Sequence, residues 1–220
     1  MNGWQVPAVY TGVDQELAAA HSGVALADIS AFVKTIVFGR SVPAIVREFT
    51  EGGPLEKPGG VAWIDARERR GAEQVEANGP CLACRLSDDR LLLLAESQHR
   101  SELDERLATV HQKTVQHCDA TSAYAGFELI GPHADAVLRR VTAFDLSTLA
   151  NSARRCAEAN VAEIHAILVR VPHRTHATRV YVSWDFGEYL WARLLDAKPE
   201  SNITPVGLES RQRLGLEAKA

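Results

Sequence analysis

ISAFVKTIVFGRSVPAIVREFT (residues 29–50) aligns without a gap on TSAYAGFELIGPHADAVLRRVT (residues 121–142), an offset of 92 residues. Ser30/Ser122, Ala31/Ala123, Phe32/Tyr124, Gly39/Gly131, Ala44/Ala136, Arg47/Arg139 and Thr50/Thr142 recur in register. Internal similarity of this kind points to a fold built from two related units. Each copy reads as a strand (Val33–Phe38; Ala125–Ile130), a glycine turn and a helix. The helices carry apolar positions Val42, Ile45, Val46 and Phe49, or Ala134, Val137, Leu138 and Val141, which are helical spacings.

A second unit follows in each copy. Strands Arg90–Leu94 and Arg179–Ser183 each lead into an amphipathic helix, with apolar positions Leu103 and Leu107, or Tyr189, Leu190, Leu194 and Leu195. Residues 145–161 join the second copy's first helix to a hairpin of strands Glu163–Val171 and Thr178–Trp184 around the turn PHRTHA. The segment from Pro205 onward reads as a helix with that proline near its first turn. Strand–helix–strands–helix, twice, predicts an α+β fold of two related, ferredoxin-like sheet-and-helix halves, about residues 24–115 and 116–218, within one domain spanning 1–220.

The composition excludes several classes. With 46% hydrophobic and 24% charged residues and a net charge of -4, neither nucleic acid nor an anionic membrane is an expected partner. The N-terminus has no signal-peptide pattern and no apolar run is long enough for a membrane span. Four cysteines do not make a disulfide scaffold. A cytoplasmic protein is the expectation.

Four stretches carry a resemblance to a known family: NGWQVPAVY (2–10), GVALADIS (23–30), FELIGPHADAVL (127–138) and ITPVGLESRQRLGLEA (203–218). In this order over nearly the full chain they resemble the folate-binding region of the aminomethyltransferase family, the glycine cleavage T proteins and their relatives. The resemblance implies two α+β halves around an opening for tetrahydrofolate and an aminomethyl or methyl donor. It also implies a C-terminal barrel, which would begin about where this sequence stops.

Against the family pattern the site residues diverge. The two aspartates that the resemblance places before the strand CLACRL are here Gly79 and Pro80, neither of which ionises; Glu76 and Asn78 are the nearest alternatives. Arg179 stands where the resemblance expects a pterin-binding carboxylate, replacing an acceptor by a donor-only cation suited to an anion. Arg211 matches a folate-contacting arginine and Glu217 the closing helix glutamate, with Gly215 in place of an arginine. Trp4 and Tyr10 belong to a segment that the resemblance brings close to the central opening. Arg211, Arg179, Glu217 and Tyr10 are therefore the expected cofactor-binding residues, and no catalytic residue is assigned.

Other motifs have plainer readings. Cys81 and Cys84 sit three apart on a strand, so their side chains point to opposite faces, unlike the converging thiols of a metal or redox site. His173 and His176 flank a polar turn, with no third ligand for a metal. His117, Cys118 and Asp119 diverge along a strand. His165 shares a face with Ile167 and Val169 and reads as a core histidine. Arg67, Arg69 and Arg70 read as a solvated turn.

Three functions follow from these features. The first is a small-molecule-binding family member, by resemblance tetrahydrofolate-dependent in one-carbon transfer, with an altered site. The second is a non-catalytic subunit of a multi-subunit amine-oxidase-type complex, packed on a partner chain or on a second copy. The third is an enzyme repurposed to other chemistry in the same cleft.

Overall fold

The computed structural model describes residues 4–49, 53–64, 81–108, 115–150, 154–172, 174, 176–197 and 202–217. The elements run α1 (Val13–Ser22), β1 (Val24–Asp28), β2 (Val33–Gly39), α2 (Val42–Phe49), β3 (Val61–Ile64), β4 (Cys81–Ser87), β5 (Arg90–Ala95), α3 (Arg100–Ala108) and β6 (Val115–Asp119). They continue with β7 (Tyr124–Ile130), α4 (Ala134–Val141), β8 (Cys156–Val161), β9 (Ile164–Arg170), β10 (Ala177–Ser183), α5 (Gly187–Asp196), β11 (Ile203–Val206) and α6 (Leu208–Glu217). One sheet has the order β11-β1-β7-β10-β9-β8, the other β3-β4-β5-β2-β6.

The repeat is physical. Helices α2 and α4 have the same length and start 92 residues apart. Gly39 and Gly131 end the preceding strands at φ 134° and 132°, a region that side-chain-bearing residues avoid. The two sheets stack face to face, and each covers its outer face with its own helices. Leu91 and Leu93 of β5 pack towards α2 and α3 with Val42, Ile45 and Leu103. Leu92 and Leu94 point instead into the layer between the sheets, with Ile167 and Tyr181. A strand covered on both faces can be apolar throughout, which is why RLLLLA shows no alternation. Cys81 and Cys84 divide the same way, one under the helices and one between the sheets.

The two halves exchange a strand. β1 precedes β2 in the chain but pairs antiparallel with β7 in the other sheet, while β6 precedes β7 yet pairs with β2. Where the connections cross, two Asp-x-Ser/Thr turns meet. Asp28 Oδ1 accepts the Ser30 N–H and Asp119 Oδ1 accepts the Thr121 N–H, each at 2.8 Å. Ser30 Oγ accepts from Gly126 N–H at 3.0 Å, and Thr121 Oγ1 from Lys34 N–H at 3.2 Å. The Ile29 and Ala120 N–H groups donate to the carbonyls of Gly126 and Lys34, each at 2.8 Å. The Lys34 ammonium, fully buried, donates to the carbonyls of Ser30, Phe32 and Thr121 at 2.7, 3.0 and 3.1 Å. Burial pushes its pKa down to about 8, although Asp28 and Asp119 act in the opposite sense.

Several sequence expectations need correction. Pro205 lies in β11, opposite Leu26 of β1, and the last helix begins at Leu208. β11 is an edge strand, where a residue without an N–H is tolerated. Residues 145–161, read as a connection, contain β8, a strand that CAEANV does not signal because it lacks a β-branched residue until Val161. His165 is no core residue: its side chain is 66% exposed, 3.8 Å from Glu158. It follows the first residue of β9, at the hairpin tip paired with Asn160, so correct alternation there points into solvent. Tyr189 is exposed, its hydroxyl donating to the Ala162 carbonyl at 3.3 Å. Arg67, Arg69, Arg70, Glu76, Asn78, Gly79, Pro80 and His173 lie outside the described residues.

Replacing the crossover ammonium with an apolar side chain of similar length, Lys34→Met, should cost about 3 kcal/mol, since buried carbonyls lose their donor. Urea denaturation should show the lowered midpoint. Burial raises the Cys81 thiol pKa to about 12 and pushes that of Cys84 up as well, and Cys156 is also buried. A thiol reagent should therefore modify Cys118, the exposed cysteine, in the folded protein and reach the other three only on unfolding.

Candidate functional site

Glu128 sits in the middle of β7 with Phe127 and Leu129 on either side, so alternation turns its carboxylate into the layer between the sheets. Its side chain is 0% exposed. Arg179 is its register partner on β10, close enough for a direct cross-strand pair. The Arg179 Nε donates to Oε1 at 3.0 Å, and Arg211 from α6 donates its Nε to Oε2 at 2.5 Å. Arg174 brings its Nη1 to 3.6 Å from Oε1. Arg211 also donates through Nη1 to Glu96 Oε1 at 3.0 Å, and its guanidinium lies 4.5 Å from the Phe32 ring centroid. Arg179 lies 6.0 Å from the ring of Trp63.

Burial alone would raise the Glu128 pKa, but Arg211, Arg179 and Arg174 outweigh it and hold the carboxyl well below the usual range. Burial lowers the pKa of Arg174, with Glu128 acting against it. Three guanidinium groups face two carboxylates, so the cluster carries one excess positive charge. Several of its buried polar atoms have no hydrogen-bond partner: Arg211 Nη2 and Arg174 Nε and Nη1. Buried donors of this kind ordinarily find an acceptor. An acceptor edge or a negative charge would satisfy these donors.

The structure thus brings Arg179 and Arg211 together, on a carboxylate that sequence reasoning missed. Glu128 aligns with Ile36 in the repeat, and an isolated acid in an apolar strand carries no spacing signal. Its clue was chemical: FELIG holds one charge in a strand covered on both faces. Arg174 lies in the polar turn PHRTHA, where no spacing links it to Glu128. Glu217 ends α6, its side chain outside the described residues.

Tyr10 is elsewhere. It lines a cavity of about 480 Å³ on the outer face of the β7 sheet, beside α5, with Trp4, Asp28, Tyr124, Trp184 and Trp191. Burial, then Asp28 and Glu16, raises the pKa of its phenol. Its backbone N–H donates to Glu16 Oε1 at 2.7 Å, and Glu16 Oε2 accepts from Gly207, tying the N-terminal segment to the start of α6.

Glu128→Gln should cost about 3–5 kcal/mol at neutral pH, because it strands buried guanidinium groups. The acid limb of stability should change with it. Glu128 in the folded protein is depressed below its ordinary 4.5, so its contribution is complete above that pH and is lost as pH falls through the folded value. Urea titrations between pH 7 and pH 3 should show part of the parent's acid destabilisation missing in the variant.

The family model described as the GCVT N-terminal domain matches residues 1–220. An aminomethyltransferase of Lysinibacillus sphaericus is 26% identical over 98% of this chain and 58% of its own length. That of Bacillus subtilis is 24% identical over 99% of this chain and 59% of its own. The chain therefore spans little more than half the length of these relatives. Among solved structures, the glycine cleavage system aminomethyltransferase T of Bartonella henselae superposes with a TM-score of 0.72 at 20% identity, covering 100% of this chain and 58% of that one. A chain of the heterotetrameric sarcosine oxidase of Corynebacterium sp. U-96 gives 0.60 at 21% identity, covering 84% of this chain and 90% of that one. On the family match over its whole length, following an α+β architecture of two related halves, the chain belongs to the GCVT N-terminal domain family.

Proposed function

We propose that this protein binds a small ligand between its two sheets, and that the ligand is a tetrahydrofolate used in one-carbon transfer. The observation that carries this reading is the set of buried donors without acceptors beside Glu128, on Arg211 and Arg174. A reduced folate has ring carbonyl and nitrogen acceptors and carboxylates, all of which suit guanidinium donors. Arg174 and Arg211 would hold that acceptor edge. Arg179, engaged across the sheet by Glu128, would keep the carboxylate ionised and in place. Bound tetrahydrofolate would supply the ring nitrogen that carries the one-carbon unit. Phe32 and Trp63, stacked on Arg211 and Arg179, would help to exclude water. In this reading the active site is altered, because Gly79 and Pro80 supply no carboxylate.

A second reading is a non-catalytic subunit of an amine-oxidase-type assembly. It is favoured by the alignment with the sarcosine oxidase chain, which covers 90% of that chain. The internal pairing of Glu128 is compatible with it, since a buried ion cluster can be purely structural.

Calorimetric titration with tetrahydrofolate and 5-formyltetrahydrofolate separates the two. Micromolar binding, weakened roughly tenfold or more in Arg174→Gln with the fold intact by circular dichroism, is the expected outcome. Absence of binding by both folates would overturn the ligand reading and favour the subunit.

A further inference from the structure

The two halves treat one equivalent position differently. In the first half, Arg100 opens α3 and reaches the Asp-x-Thr turn: its Nη1 donates to Asp119 Oδ2 at 2.8 Å and its Nη2 to Thr121 Oγ1 at 3.0 Å. The strand–turn–helix unit recurs 87 residues later, so Gly187, the first residue of α5, stands where Arg100 does. It lines the 480 Å³ cavity together with Asp28 and Ser30 of the matching Asp-x-Ser turn. The sister aspartate has a guanidinium from its own chain. Asp28 has a cavity in its place.

The cavity suits a cation. Its described lining includes two carboxylates, Asp28 and Glu188, and no Lys, Arg or His. Its walls are aromatic, with Tyr10, Tyr124, Trp184 and Trp191 among them, and aromatic faces attract ammonium and guanidinium groups. Trp184 is 67% exposed, unusual for a tryptophan without a ligand or partner. The Lys34 ammonium acts on Asp28 from within the crossover, but it donates to three carbonyls and is fully buried. The partial positive charge at the start of α5 is offset by Asp185 and Glu188 in the neighbouring turns. The same geometry at α3 already accepts a guanidinium.

We infer that the cavity at Asp28 is a binding site for a small organic cation, with an alkylammonium or guanidinium head group taking the place that Arg100 occupies in the first half. This site lies on the opposite face of the β7 sheet from the Glu128 cluster, so the two stand or fall separately.

Tryptophan fluorescence of the full chain, titrated with choline and with N-methylguanidinium, tests it. The neutral counterparts 3,3-dimethylbutan-1-ol and N-methylurea serve as references. At least one cation should give a saturable change and bind about tenfold or more tightly than its neutral counterpart. Which of the two does so identifies the head group. Asp28→Asn keeps an oxygen for the Ser30 N–H and removes the charge, and it should weaken the cation about tenfold while leaving the neutral compound unchanged. Trp184→Ala, at an exposed position, should weaken the cation several-fold without loss of fold, read by calorimetry. Equal affinity for cation and neutral counterpart, or no effect of Asp28→Asn, would overturn the inference, as would the absence of saturable binding by both cations.

Discussion

The crossing of the two Asp-x-Ser/Thr turns is the constraint on which the rest of the fold depends. Each half sends its first strand into the other's sheet, so neither sheet is complete without the other half. Two chain connections pass through one buried point, where backbone N–H and C=O groups need partners away from water. Ser30 and Thr121 supply acceptors to one another's neighbouring strands, and the Lys34 ammonium draws three carbonyls together. A charged amine is costly to bury, and its three hydrogen bonds offset that cost. Its counterpart in the second half is Gly126, where a side chain would collide with Tyr181, so one lysine serves both turns.

From that crossing, strand alternation distributes two chemistries over the two faces of a single sheet. Phe127 and Asp28 face outward, towards α5 and the aromatic cavity. Glu128, one residue further along β7, faces inward to Arg179 and Arg211. A period of two separates an ion cluster from an aromatic pocket by the thickness of one sheet. The inner cluster has more guanidinium than carboxylate, while the outer cavity has carboxylate and no base among its described lining. The two environments are accordingly opposite in sign.

Near-symmetry makes the differences between the halves informative. Gly39 and Gly131 agree in backbone conformation, and α2 and α4 agree in length, because both are demanded by the same strand-to-helix turn. Arg100 and Gly187 disagree, and that disagreement opens a cavity. Likewise Ile36 and Glu128 occupy matching positions, but only the second faces arginines. Close packing accounts for the missing side chains at Gly126 against Tyr181 and at Gly187 against Ala125, whereas Glu128 departs from Ile36 to meet arginines.

The sequence by itself determined the duplicated core elements, β2 with α2 and β7 with α4, and the later β5 with α3 and β10 with α5. Helical spacing at Val42, Ile45 and Val46 depends only on neighbours along the chain, the repeat is legible by laying the sequence over itself, and the family fragments are recognised by resemblance. It also marked Arg179 and Arg211 by resemblance, without showing what they meet. Only the tertiary structure decided the strand exchange, the place of Pro205 in an edge strand, and the exposure of His165 at a hairpin tip. It alone brought Glu128 to both arginines and moved Tyr10 to a cavity on the other face. Apart from the His165 hairpin, these outcomes rest on pairings between residues 50 to almost 200 positions apart, such as Arg179 with Glu128 and Gly207 with Glu16. Periodicity along a chain carries no information about such distant partners, because sheet order is fixed by which apolar faces can be buried together.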